Sequence, residues 1–140
     1  MVPVCPLCDS DAGVVVWRDA LCRVVLPQEA GYPGFVRVIA NEHVAEMTDL
    51  SEDQRAQLMA VVWQVERVVR GVMQPTKVNV ASLGNVVAHV HWHVIARFEQ
   101  DAHFPGSVWS AVQREVGSEQ LKLWTLRAEG LAPALQKALS

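Results

Sequence analysis

His89-Val90-His91-Trp92-His93 places three of the chain's five histidines in one five-residue window at strict alternation. In an extended strand successive side chains point to opposite faces, so the three imidazoles would share one face, roughly 6.5 to 7 Å apart, while Val90, Trp92 and Val94 share the other. One face can then be a core and the other a reactive surface. A predicted strand from His89 to Phe98 follows, entered through the turn Ser82-Leu83-Gly84-Asn85 from a strand over Lys77 to Ala81.

The chain upstream agrees with a sheet. Val14 to Trp17, Cys22 to Leu26 and Phe35 to Ile39 read as three antiparallel strands, punctuated by Gly31-Tyr32-Pro33-Gly34. Ser51 followed by Gln54 is a capping-box pattern, and apolar residues from Leu58 to Val69 recur at helical spacing until Gly71 offers a stop. The expectation is one main helix over residues 52–70. Five strands and one helix define an α+β domain with an antiparallel five-stranded sheet covered on one face. Residues 1–110 are expected to form the domain, with 111–140 a C-terminal tail carrying a short helix near 131–139.

With 140 residues, 51% hydrophobic and 19% charged, the chain suits one domain with a real core. The net charge of -3 gives no general attraction for nucleic acid or anionic membranes, so a bound phosphate needs a local site. No segment approaches the roughly 20 apolar residues of a membrane span, and the start lacks a secretory signal, so the expected location is cytoplasmic. Cys5-x-x-Cys8 and Cys22 favour metal ligation or free thiols over disulfides there. The apolar content, with a single helix as cover, also suggests burial against a second copy.

His89-Val90-His91-Trp92-His93-Val94-Ile95 resembles the signature of the histidine triad (HIT) family of nucleotide hydrolases and transferases, and the likeness runs over roughly residues 5 to 109. It is nearest the bacterial branch around the dinucleoside polyphosphate hydrolases. The resemblance implies a homodimer whose two sheets join, with a purine nucleotide or dinucleoside polyphosphate in a cleft on each subunit. It also implies that His91 is the nucleophile at the α-phosphorus, giving a nucleotidyl-histidine intermediate. On the same footing His89 orients His91 through its carbonyl, and His93 contacts the phosphoryl oxygens and leaving group. Asn79 and the backbone of Gly84, Asn85 and Val86 would contact phosphate, and Trp109 would close over the site. Pro27 stands where the family holds ribose with Asp or Asn, leaving Gln28 as the substitute.

Zinc-bearing bacterial members complete a Cys-x-x-Cys pair with two histidines that map onto His43 and His89, which implies structural zinc on Cys5, Cys8, His43 and His89 and no organic cofactor. Free thiols or an empty site are the alternatives. Metal held by the triad itself is another, since His-x-His also chelates zinc or iron. A nucleotide-binding regulatory module with negligible turnover is the rival to an enzyme. Arg23 and Arg37 read as outward-facing strand charges, His103 as a solvated loop histidine, and Cys22 as a buried small hydrophobe.

Overall fold

The histidine stretch becomes β5 only from His91 to Arg97, and His89 lies just before it. The computed structural model describes residues 4–140. The other strands are β1 (Val14–Arg18), β2 (Cys22–Leu26), β3 (Phe35–Ala40) and β4 (Lys77–Ala81). All neighbours are antiparallel in the order β1-β2-β3-β5-β4, which leaves β1 and β4 as edges. Arg37 of β3 sits directly across from His93 of β5, and Ala81 of β4 lies on its other side.

The sheet separates two chemistries by pleat. Val24, Val36, Val38, Val94 and Ala96 turn to one face, where α2 (Glu52–Met73) lays Leu58, Val62, Val65, Val69 and Met73 onto them. The helix starts as expected: Ser51 Oγ accepts from the Gln54 amide at 3.2 Å while the Gln54 side chain accepts from the Ser51 amide at 2.9 Å. Gly71 does not stop it. The helix runs on to Met73, whose side chain is fully buried, and ends on Gln74 in the left-handed conformation at φ 49°. Gly34 permits that extra turn, because a Cβ there would lie 2.8 Å from Ala96 Cβ and 3.0 Å from the Met73 side chain.

Residues beyond Pro105 contribute more than one short helix. α4 (Leu131–Leu139) lies near its expected place, but α3 (Ser118–Ala128) precedes it without a sequence forecast. Trp124, Leu131 and Leu135 are buried in the same core as α2, and Trp124 stacks on Phe98 with ring centroids 4.3 Å apart. Three helices therefore cover the face that the sequence assigned to one. Among the described residues no helix is long and apolar enough to cross a membrane.

On the opposite face lie His91, His93, Ile95 and Arg97 of β5 with Phe35, Arg37 and Ile39 of β3. A short N-terminal helix, α1 (Pro6–Asp9), packs Leu7 against Val25 and Ile39 and covers one side of this face. The loop after β5 covers the other side, with Val108 against Tyr32, Phe35 and Ile95. The ground between them stays open above His91 and His93.

Candidate active site

Two histidines of the triad share the open face and the third leaves it. His91 and His93 are alternate residues of β5 with ring centroids 4.9 Å apart. His91 Nδ1 donates to the His89 carbonyl at 2.6 Å, which fixes the proton on Nδ1 and leaves Nε2 with a free lone pair. His93 is held in the other tautomer: Arg37 Nε donates to His93 Nδ1 at 3.3 Å, so the His93 proton sits on Nε2. Burial, reinforced by His91 and Arg37, pushes the His93 pKa down to about 4, so this ring is neutral at physiological pH.

His89 turns its ring away to a cluster at the end of α1. Its Nε2 donates to the Ala40 carbonyl at 2.6 Å, so Nδ1 presents a lone pair. That Nδ1 lies 3.5 Å from both Cys5 Sγ and Cys8 Sγ and 3.2 Å from His43 Nδ1, while Cys8 Sγ lies 3.2 Å from His43 Nδ1. All four ligand atoms fall within 4.8 Å of one another. A tetrahedral ion with thiolate bonds of about 2.3 Å and imidazole bonds of about 2.05 Å has ligand-to-ligand edges of roughly 3.3 to 3.8 Å. The cluster matches that size, so Cys5, Cys8, His43 and His89 could hold a metal ion. Burial also lowers the His89 pKa, which favours the neutral ring a metal requires.

A cleft of about 690 Å³ opens over His91 and His93. Its walls are Pro6 and Leu7 of α1, Ser10, Ala12, the 83–87 turn, Ser107 and Trp109, with Arg37 the sole Lys or Arg lining it among the described residues. Trp109 lies over His93 at 5.0 Å between ring centroids and is half exposed. In the turn, Gly84 takes φ 81°, a conformation glycine adopts freely. The backbone amides of Gly84, Asn85 and Val86 donate to no partner among the described residues. Unpaired backbone N–H groups beside an imidazole lone pair suit an anion.

Behind the cleft the wall is pinned by one buried carboxylate. Asp101 accepts from Arg97 Nε at 2.8 Å and Nη2 at 3.1 Å, and from the amides of Phe98, His103 and Phe104 at 3.1, 3.0 and 2.8 Å. Burial alone would raise its pKa; the Arg97 and backbone hydrogen bonds outweigh it and hold the group at about 2. Arg97 also donates to the Gly106 carbonyl at 2.7 Å, so the loop that carries Ser107 and Trp109 is fixed to β5.

Several expected residues stand elsewhere. Asn79 does not line the cleft; its Oδ1 accepts from Arg97 Nη1 at 2.7 Å, so it serves the buried ion pair. Gln28 lines a separate hollow with Leu121 and Thr125, having left the strand at φ 60°. Arg23 is not an outward charge: it is buried and donates to the Leu7 and Ser10 carbonyls at 2.7 and 3.1 Å, tying α1 to the sheet. Arg37 turns into the cleft. His103 is half-buried, with Nδ1 2.6 Å from the Tyr32 hydroxyl. Cys22 is fully buried, as expected, and burial pushes its thiol up to about 12. The sequence reading missed the polar cleft residues Arg37, Ser10 and Ser107 and the apolar walls Pro6, Leu7, Ala12, Leu83 and Val87.

A five-stranded antiparallel sheet with a histidine of free Nε2 on its inner strand, held by the carbonyl of the histidine two residues earlier, defines a histidine triad domain. The sequence matches the HIT domain over residues 10–100, and the chain belongs to that family. It is 32% identical over 105 residues to the "AP-4-A phosphorylase" of Mycobacterium tuberculosis, a match that takes in 71% of this chain and 54% of that protein. The "Bis(5'-nucleosyl)-tetraphosphatase [asymmetrical]" of Schizosaccharomyces pombe is 27% identical over 109 residues, 74% of this chain and 60% of its own length. The chain thus spans little more than half the length of these relatives. A histidine triad protein from Bradyrhizobium japonicum superposes with a TM-score of 0.74 at 27% identity, over 93% of this chain and 92% of that one.

Proposed function

We propose that this chain cleaves a phosphoanhydride bond at the α-phosphorus of a purine nucleotide, with a dinucleoside polyphosphate as the substrate class. The observation that carries the reading is the His91 tautomer: Nδ1 is committed to the His89 carbonyl at 2.6 Å, and Nε2 is left as a lone pair in the cleft. In the first step His91 Nε2 bonds to the α-phosphorus and the bond to the bridging oxygen breaks, so the leaving phosphate departs with the electron pair. The His89 carbonyl steadies the positive charge that grows on the imidazole, and the free amides of Gly84 to Val86 offer donors to the phosphoryl oxygens. His93 Nε2–H is placed to hydrogen-bond the bridging oxygen. In the second step a water oxygen bonds to the α-phosphorus as the P–Nε2 bond breaks; the electron pair returns to His91 Nε2, the water proton passes to solvent, and His91 regains its starting state. The names of the relatives, one a phosphorylase and one a tetraphosphatase, support a substrate with linked phosphates.

The metal proposed for Cys5, Cys8, His43 and His89 is zinc, because two thiolates and two neutral imidazoles at tetrahedral spacing are its preferred donors. Bound there, zinc would act structurally, holding α1 to the His89 segment. The free edges β1 and β4, with half-exposed Trp63 on α2, leave surface for a second copy, consistent with a homodimer. Three unbridged cysteines suit a reducing compartment such as the cytoplasm.

The test is intact-protein mass spectrometry after rapid mixing with diadenosine tetraphosphate and an acid-free quench. A nucleotidyl adduct in the wild type, absent in His91→Ala, is the expected result. Tight binding of nucleotide with neither adduct nor product would replace the enzyme by a binding module.

A further inference from the structure

We propose that Arg37 selects the leaving group: with His93 it restricts this site to substrates whose departing group is itself a phosphate anion, and it binds that phosphate beyond the scissile bond. The inference rests on the reading of His91 as nucleophile.

The first argument is proton inventory. A neutral imidazole has one N–H and one lone pair. Arg37 Nε–H fills the His93 lone pair at Nδ1, so His93 faces the cleft with Nε2–H alone. Such a ring donates a hydrogen bond readily, but giving up that proton would create an imidazolate. An amine cannot leave a phosphorus as an anion and needs a full proton. A phosphate leaves as a stable anion and needs only a hydrogen bond and a nearby positive charge. The pair Arg37 and His93 supplies those two things.

The second argument is position. His91 and His93 succeed each other along β5, and Arg37 lies across the ladder from His93 on β3. With the α-phosphorus at His91 and the bridging oxygen at His93, the next phosphate falls beside Arg37. The guanidinium is held for that task. Its carbon lies 5.2 Å from the Phe35 ring centroid, and Nη2 reaches Glu29 at 3.4 Å. Of its five N–H donors, three have no partner among the described residues. Among the described residues Arg37 is the one guanidinium or ammonium side chain lining the cleft, in a chain of net charge -3. Charge attraction for a polyphosphate therefore comes from this side chain.

Two ratios test the idea. The first is kcat/KM on diadenosine tetraphosphate over kcat/KM on adenosine 5′-phosphoramidate, for wild type, Arg37→Leu and Arg37→Lys. The wild type should favour the tetraphosphate by about 100-fold or more; Arg37→Leu should shrink the ratio by at least about tenfold, and Arg37→Lys should recover part of it, as a charge-assisted contact predicts. The second is the affinity for ATP over AMP by calorimetry, which should fall about tenfold in Arg37→Leu and partly return in Arg37→Lys. Unfolding curves for each variant confirm that it is folded, and the lysine variant keeps the charge if leucine disturbs the sheet. A wild type that prefers the phosphoramidate, or an Arg37→Leu protein that loses both substrates by one factor, would overturn the proposal. If the wild type consumes neither substrate the nucleophile reading fails, and the ATP-to-AMP ratio still decides whether Arg37 reads phosphate.

Discussion

Replacing Asp101 with Asn is predicted to destabilise the protein by about 4 kcal/mol, and the geometry shows where that cost arises. Oδ1 accepts from Tyr32, Arg97 Nη2 and the amides of His103 and Phe104, whereas Oδ2 accepts from Arg97 Nε and the Phe98 amide. An asparagine keeps the better-served oxygen and turns its NH2 toward Arg97 Nε and Phe98 N, setting donor against donor at two contacts. It also leaves the Arg97 guanidinium, only 2% exposed, without a counter-charge. Breaking a buried pair by removing one partner costs about 3 to 5 kcal/mol. At about 2.1 cal/mol/K per residue, the 140-residue chain has an unfolding entropy of about 0.3 kcal/mol/K, so the midpoint should fall by about 14 °C.

The assay is calorimetric unfolding at pH 7 with zinc present, so that occupancy of the Cys5, Cys8, His43 and His89 cluster is constant between variants. The double replacement Arg97→Met with Asp101→Leu removes both charges and should recover at least half of the loss, because no uncompensated ion remains. A drop of less than about 3 °C for Asp101→Asn would refute the reasoning, showing that the carboxylate does not hold this wall. A double variant as unstable as the single one would locate the cost in packing instead of charge.

Two further predictions follow. Chelating the ion from zinc-loaded protein should lower stability by about 4 kcal/mol if zinc was present at roughly a thousand times its dissociation constant, read by unfolding with and without chelator; an unchanged midpoint in the wild type, equal to that of Cys5→Ala, would count against the site. Because the His93 pKa is lowered from 6.5 to about 4, the unfolded chain binds the extra proton first as pH falls. The His93 contribution is therefore complete above pH 6.5 and lost progressively toward pH 4, by about 3 kcal/mol. Urea unfolding of wild type and His93→Gln should show that difference shrinking across the window, and parallel curves would reject it.

The strands were legible because each is a short run rich in β-branched and aromatic residues, the first ones set off by turn residues, and α2 because both a capping box and a buried stripe mark it. α3 was harder to read for a physical reason: Leu121, Trp124 and Ala128 pack on the core, but Leu123 and Leu126 stand exposed beside them, so apolar residues fall on more than one face and blur the period. The two arginines failed differently. Alternation says that Arg37 and Val38 face opposite ways, but not which face of the sheet either takes. Only the pairing of Arg37 with His93 settles that, and register is a property of two strands and the turns between them. Asn79 and Gln28 were placed by resemblance along the chain, which carries no information on where Arg97 reaches or how the chain turns at Gln28.

The most informative departure from regular alternation is at His89. Were His89 a regular strand residue, its carbonyl would lie in the plane of the sheet and be available to the ladder, and its ring would lie beside His91 in the cleft. The backbone instead joins β3 through Val90, whose carbonyl accepts from the Ala40 amide at 3.1 Å, while the His89 ring donates to the Ala40 carbonyl at 2.6 Å. Those two contacts brace the segment against the end of β3. The His89 carbonyl is then free to accept a hydrogen bond from His91 Nδ1–H, and the His89 Nδ1 is free to face Cys5, Cys8 and His43. A side chain in the cleft could not do both. The strand must stop at His91 for the His91 ring to be oriented, so in the proposed mechanism the break in the pattern is as necessary as the pattern itself.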